Sequence, residues 1–414
     1  MSCTPVVRPS YAAVLQIPYA RRTFAAALLG RLSYGIVPLS VMLAVTRATG
    51  SYAVAGTVIA LFGGTSVFLS PARAALIDRH GPRRALVPMA GAYCALLGLL
   101  TALVWRPGSA SPLVVGAVTA AAGACTPPLG PTMRAVWSGL APDRALLQRA
   151  YSLDGVAEEL LFVSGPLAVG VLVGLTPPSA GIVLGTCLMA AGTAGFVSSP
   201  AVRGMRPAGR KTGERRAAAP RGTLRGILRP VVGAAGVGLA LGAVDLVVVA
   251  FAGQRHYGDD AVAWTLAALS AGSAVGGLLN GAVPWRAPAG ARLPLMVAGL
   301  GTALLCAALA PDLVTLALTL AAAGFFVAPA LTTAYLTADD TAPPETRVRA
   351  GAWVNTAVNA GSTAGSAAAG LLLGGVSTSL CFTAAGATAL LTAVATARGR
   401  HRPRQEVAPT SAAA

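Results

Sequence analysis

Long apolar runs separated by short polar stretches recur twelve times along the chain. They cover 24–45, 53–76, 85–105, 113–133, 151–175 and 180–202, then 231–252, 262–284, 293–310, 313–336, 350–376 and 379–396. About 20 apolar residues in helical conformation cross a bilayer. The runs are continuous and not alternating, which predicts helices and argues against the strands of a barrel. The expected fold class is an all-α membrane protein with twelve transmembrane helices. The longest polar stretch, 203–229, carries nine basic residues and one acid, Glu214. It divides the chain into a first six-helix bundle at 1–202, a basic linker at 203–230, a second bundle at 231–397 and a tail at 398–414. Six spans, a linker and six spans are the pattern of folds built from internal repeats.

Composition agrees. The chain has 414 residues, 55% hydrophobic and 11% charged, with a mean hydropathy of +0.68. A soluble globular domain carries about 25% charged residues. The net charge of +17 raises nucleic-acid binding, but the arginines lie between apolar runs and not on one basic domain, so no nucleic-acid partner is expected. Arg47, Arg106 and Arg255 are the only basic residues in loops on one side. By the positive-inside rule, both termini, the linker and the loop at 77–84 are therefore expected in the cytoplasm, with the chain in the cell membrane. Arg21-Arg22-Thr23-Phe24 has no cleavage pattern after a short apolar core, and is read as the positive flank of the first span. The six Cys show no close spacing and the three His are scattered, so neither disulfides nor a metal site is expected. No Gly-x-x-x-x-Gly-Lys phosphate loop or Ser/His/Asp set is present. The expectation is no enzyme and no cofactor.

The stretch 77–84 reads Ile-Asp-Arg-His-Gly-Pro-Arg-Arg and joins the second and third runs. Its shortness predicts a tight surface loop, with Gly81 turning sharply and Pro82 stopping helix continuation. Asp78, Arg79, Gly81, Arg83 and Arg84 resemble the Gly-x-x-x-Asp-Arg-x-Gly-Arg-Arg signature of the major facilitator superfamily. Ala74 stands at the leading Gly and Pro82 at a usually basic position. Gly165-Pro166 followed by Gly170 resembles, in part, the Gly-Pro-x-x-Gly-Gly motif of drug–proton antiporters, whose physics is helix bending and close backbone approach. Gly30-Arg31-Leu32 with Gly35, and then Thr49-Gly50-Ser51-Tyr52, look like a group of actinobacterial members.

Charges inside spans cost a few kcal/mol on insertion scales and are the natural functional candidates. Arg31 lies roughly 12 Å into its span, at 1.5 Å per residue. Glu158 and Glu159 lie at similar depth in the fifth. One of the two acids faces Arg31, since adjacent helical residues point about 100° apart. The pair is either a static tie or part of substrate and proton binding. Asp154, one turn nearer the cytoplasm, reads either as a snorkelling or loop-paired acid at a helix start or as a further member of the proton- and substrate-coupling set. Asp245 lies roughly 21 Å into the seventh span with no basic residue in that span. It is either a proton carrier or a solvated acid near the outer surface. In the eleventh run, Gly361 and Gly365 are spaced for tight helix packing, and Trp353, Asn355 and Asn359 are candidates to line a cavity. Asp339, Asp340 and Glu345 are expected to meet the arginines of the 77–84 loop.

The resemblance implies two six-helix bundles around a central cavity that rock to expose one side at a time. It also implies a chain usually monomeric in function, and a gating role for Asp78, Arg79, Gly81, Arg83 and Arg84. The leading expectation is a proton-coupled efflux antiporter. Its partners are protons, the bilayer and a small amphiphilic substrate, because the cavity-lining spans 1, 4, 7 and 10 are mostly Ala, Gly, Val and Leu. The alternatives are an uptake symporter and a non-transporting sensor or scaffold.

Overall fold

The computed structural model describes residues 10–105, 111–205 and 221–398, and they are helical almost throughout. The first half holds span 1 (Ala20–Thr49), span 2 (Tyr52–Phe68 and Ser70–His80), span 3 (Pro82–Val104), span 4 (Pro112–Cys125 and Leu129–Leu140), span 5 (Arg144–Val173) and span 6 (Ser179–Ser198). The second half holds span 7 (Arg221–Gln254), span 8 (Asp259–Ala282), span 9 (Ala289–Ala307), span 10 (Leu313–Thr341), span 11 (Arg347–Leu373) and span 12 (Thr378–Arg398). Eleven of these meet a length-and-hydropathy test for crossing a membrane, counting the two bent pieces of span 2 as one. Span 11 is the twelfth; Asn355, Asn359, Ser362, Thr363 and Ser366 lower its hydropathy. Arg106, the linker residues 206–220 and the tail from 399 lie outside the described residues.

Two spans are broken, and the breaks shape the interior. Span 2 bends by 41° at Leu69, just before Ser70-Pro71, and Pro at a helix start cannot donate a ladder hydrogen bond. Span 4 is interrupted at 126–128 by Pro127-Pro128. Each break frees backbone carbonyls at a helix C-terminus. Arg73, 6% exposed, takes several of them. Its Nη1 donates to Gly123 O at 2.8 Å and Ala124 O at 3.0 Å, and its Nη2 to Ser66 O. A guanidinium between two helix C-termini also meets the negative ends of their dipoles. Thr356 of span 11 adds a hydrogen bond to Val67 O at 3.0 Å.

Small residues let the helices touch backbone to backbone, as membrane packing favours. Spans 7 and 11 interlock where a Cβ on Gly242 would lie 1.9 Å from Ser362 O, and one on Gly365 2.0 Å from Leu239 O. This is the packing expected of Gly361 and Gly365. Spans 1 and 5 cross at Gly35 and Gly165: a Cβ on Gly165 would sit 2.7 Å from Gly35 Cα. Span 5 runs as one continuous helix through Pro166, and the close approach expected of Gly165 is present.

The two bundles meet along one half of the molecule, the half carrying the described chain ends and the 77–84 segment. Spans 5 and 8 face each other there, as do spans 2 and 11. Across this seam Gln148 Nε2 donates to Asn280 O, Arg149 Nη2 to Ala282 O at 3.2 Å, and Ser138 Oγ to Asp339 Oδ2 at 2.9 Å. Arg144 pairs with Asp340. Tyr11, in a short helix before span 1 (Tyr11–Gln16), donates to Leu278 O of the opposite bundle. Beyond Glu159, span 5 leaves span 8: Leu160, Phe162, Leu167 and Val171 are 57–70% exposed. The result is a cleft closed on the basic side and open toward the other.

Candidate functional site

At the floor of the cleft sit four charges that neutralise one another. Span 5 begins at Arg144, not at 151, because Asp143 caps it with a hydrogen bond from Leu146 N at 2.8 Å. That puts Asp154 almost three turns inside the helix. The reading of Asp154 as a first-turn acid is therefore corrected: it is fully buried, 2.7 Å from Arg31 Nη1 and 3.0 Å from Arg134 Nε. Glu158, one turn further along the same face, lies 3.1 Å from Arg31 Nη2 and pairs with Arg134 Nη2. Arg31 and Arg134 are 1% and 4% exposed. Two cations and two anions share one buried site, which is how charges persist in a low-dielectric interior. Arg134 also stacks on the Tyr335 ring of span 10, 3.8 Å from its centroid, a cation–π contact across the bundles.

Glu159 turns the other way, to span 8, where Ser273 Oγ donates to its Oε1. Its Oε2 is buried without a hydrogen-bond partner, and no cation pairs with it among the described residues. Glu159 is thus an uncompensated acid on the bundle seam. Asp245 is exposed on span 7, likewise without a side-chain ion pair or hydrogen bond among the described residues. It lies one helical turn beyond Leu241, which lines the cleft, so it shares that face nearer the open end.

The cleft has two adjoining lobes of about 220 and 240 Å³ that share Glu158, Phe162, Asn355 and Asn359. One is walled by spans 1, 2 and 4, with Tyr34, Ile59 and Phe62; the other by spans 7 and 10, with Leu241, Val327 and Tyr335. Asn355 and Asn359 reach the chamber as expected, and Asn355 Oδ1 lies 3.4 Å from Tyr335 Oη. Trp353 lines neither lobe. It is 39% exposed and sits two residues from Asn355, about 200° around the helix, so the cavity expectation for Trp353 is corrected.

The 77–84 segment is not a loop. Helix runs to His80, only Gly81 is non-helical, and Pro82 starts the next helix. Gly81 has φ +85°, a region open mainly to glycine. Asp78 therefore sits in the last turn of span 2 and accepts a hydrogen bond from Arg349 N of span 11 at 3.0 Å. Arg79, Arg83 and Arg84 form no ion pair among the described residues. The expected meeting of Asp339 and Asp340 with the arginines of 77–84 is replaced by other pairs, Asp340 with Arg144 and Asp339 with Arg347 at 3.3 Å. Arg144 reaches them because it opens span 5, directly across the seam. The second-half counterpart, 285–292, has no one-residue turn; there Arg292 stacks over the Trp285 ring at 5.1 Å.

Arg134, Arg73, Tyr335 and Ser273 belong to the site region without having been singled out by sequence. The signal for Arg134 was Pro127-Pro128, which breaks the fourth run so that its second piece extends past 133. Arg73 lies within the run 53–76.

Comparison with known proteins places this geometry. No curated protein sequence matches the chain. The human organic anion transporter TETRAN has a similar structure, at 15% identity and a TM-score of 0.68 over 92% of this chain and 100% of that one. A bacterial homologue of the iron transporter ferroportin, in an outward-facing state, is similar at 13% identity and a TM-score of 0.70 over 92% of this chain and 97% of that one. Its iron-soaked form is similar at 12% identity and 0.69. At these identities the likeness is one of fold. The Major Facilitator Superfamily profile matches residues 23–310 and 231–413. With its twelve spans among the described residues, paired bundles and central cleft, the chain belongs to the major facilitator superfamily and is a membrane transporter.

Proposed function

We propose that this chain exports small amphiphilic compounds in exchange for protons, with Glu159 as the carboxylate that couples the two. The observation that carries the reading is the contrast in charge compensation around the cleft. Arg31 and Arg134 are matched by Asp154 and Glu158, whereas Glu159 is matched by no cation among the described residues and lies where the bundles must part. Its contact with Ser273 joins span 5 of the first bundle to span 8 of the second.

A proton taken up by Glu159 from the open side removes an uncompensated charge from the seam. A cationic or polar group on a substrate, arriving when the other side is open, competes for the same carboxylate. That competition is the exchange rule of an antiporter. Parting the basic side requires breaking the contacts of Asp78 with Arg349, Arg144 with Asp340, and Gln148 with Asn280. The positive-inside bias makes that side cytoplasmic, so the conformation in hand is outward-facing. Phe62, Phe162, Ile59 and Leu241 offer apolar surface to the body of a substrate, and few hydroxyl-matching amides, which favours amphiphiles over sugars. Asp245, nearer the mouth, attracts cations without touching the seam.

The test uses inverted membrane vesicles acidified inside and loaded with a pH-sensitive dye, challenged with a panel of apolar and cationic amphiphiles. At least one compound is expected to release protons in vesicles containing the protein and not in vesicles lacking it. If none does across a broad panel, proton exchange is excluded as the driving reaction.

A further inference from the structure

On the basic side of the first bundle, outside the transport chamber, the end of span 2 and the start of span 3 meet the chain just past span 6. A surface pocket of about 330 Å³ lies between them, lined by His80, Arg83, Arg84 and Arg203 and, among the described residues, by no acid. Arg83, Arg84 and Arg203 are exposed, and none of the three is in an ion pair among the described residues. Like charges gathered without counter-charges repel one another, so the cluster favours an anion from outside.

The shape identifies the anion's source. A second hollow shares Arg83 and Arg84 with the first and continues to Val87 and Pro88. Val87 is 51% exposed on the apolar part of span 3, a surface that in a bilayer faces acyl chains. The groove therefore runs from a cationic end at the membrane edge to an apolar end one turn deeper. A soluble phosphate would use only the first part. A phospholipid uses both, its phosphate among the arginines and the start of its chain along Val87. Arginine suits the role because its planar fork meets phosphate oxygens two at a time.

We propose that this groove is a binding site for the headgroup of an anionic phospholipid. Its occupant would hold the first turn of span 3 directly beside the Gly81 turn and so steady the segment in which Asp78 bridges to the second bundle. Basic pockets at the ends of transmembrane helices are suited to such headgroups.

Native mass spectrometry of the purified full chain, released from micelles containing equal phosphatidylglycerol and phosphatidylcholine, tests this directly. Wild type is expected to retain phosphatidylglycerol under activation that strips phosphatidylcholine. The variant R83Q/R84Q/R203Q is expected to bind it roughly tenfold or more weakly. R21Q/R286Q/R398Q, which loses three exposed arginines elsewhere, is expected to behave as wild type. Val87→Asn, which keeps every cation, is expected to weaken retention as well. Equal retention by R83Q/R84Q/R203Q and wild type would overturn the proposal, as would an equal loss in both triple variants. Displacement of the lipid by millimolar inorganic phosphate would also overturn it, marking a site for free anions.

Discussion

Glu158 and Glu159 are neighbours in sequence, yet they belong to different parts of the machine. Helical geometry turns their side chains about 100° apart. Glu158 points into the first bundle and completes a neutral cluster with Arg31, Arg134 and Asp154. Glu159 points across the seam to Ser273 and has no cation beside it among the described residues. A paired buried charge is expensive to disturb and so holds a structure in place. An unpaired acid changes its interactions by gaining or losing one proton, and so lends itself to a change of state. One helix thus presents a charge-paired face and, among the described residues, an unpaired acid at the same depth.

The contrast is broken most severely by removing one member of the cluster. Asp154→Ala or Arg31→Ala leaves an uncompensated buried charge and should cost about 3–5 kcal/mol, read as loss of folded protein in fluorescence-detected size exclusion. The double variant R31M/D154L removes one charge of each sign and should recover much of that loss. If the double is as poor as the singles, the four charges do not act as a balanced set.

Next in size is the crossing that holds the fixed face against span 1. Gly165→Val would drive a branched side chain into the Gly35 backbone, already 2.7 Å from the position of a Cβ. Overpacking of this kind costs about 1–3 kcal/mol, measured as a lower melting temperature. An unchanged melting temperature would mean that spans 1 and 5 are not in close contact there.

A smaller effect is expected at Asp78, the other acid that reaches across the seam. Asp78→Asn keeps an acceptor for Arg349 N–H but loses the charge assistance, a change of about 1 kcal/mol. The population open on the basic side should rise several-fold, read as faster labelling, by a membrane-impermeant reagent applied only to the basic side, of a cysteine placed at Gly155 in a background freed of native cysteines. Equal labelling would remove Asp78 from the gate. The smallest effect is at Trp353, which faces away from the chamber: Trp353→Ala should leave transport unchanged. A loss of transport there would mean that the chamber extends around span 11.

Much of this was readable in the chain. The twelve runs gave the spans to within a few residues, except where polar turns extend a helix beyond the membrane, as at Arg144. The pairing of Arg31 with span 5 followed from matched depth. Arg134 was hidden because its own charge ends the apolar run at 133, although the helix continues to Leu140, and Asp154 because its helix starts two turns earlier than the apolar run. The partners of Asp339 and Asp340 depend on how two bundles dock, which no local pattern encodes. Ser273 looks like any serine in an Ala–Gly-rich helix; only its position opposite Glu159 gives it a role.

The most direct test of the central claim compares Glu159→Gln with Asp245→Asn in acidified inverted vesicles, using a compound that releases protons with wild type. The account predicts that Glu159→Gln folds normally and abolishes proton release, while Asp245→Asn retains it with weaker apparent affinity for a cationic compound. Proton release by Glu159→Gln at the wild-type rate would contradict the account, and loss in Asp245→Asn alone would move the coupling site to the mouth of the cleft.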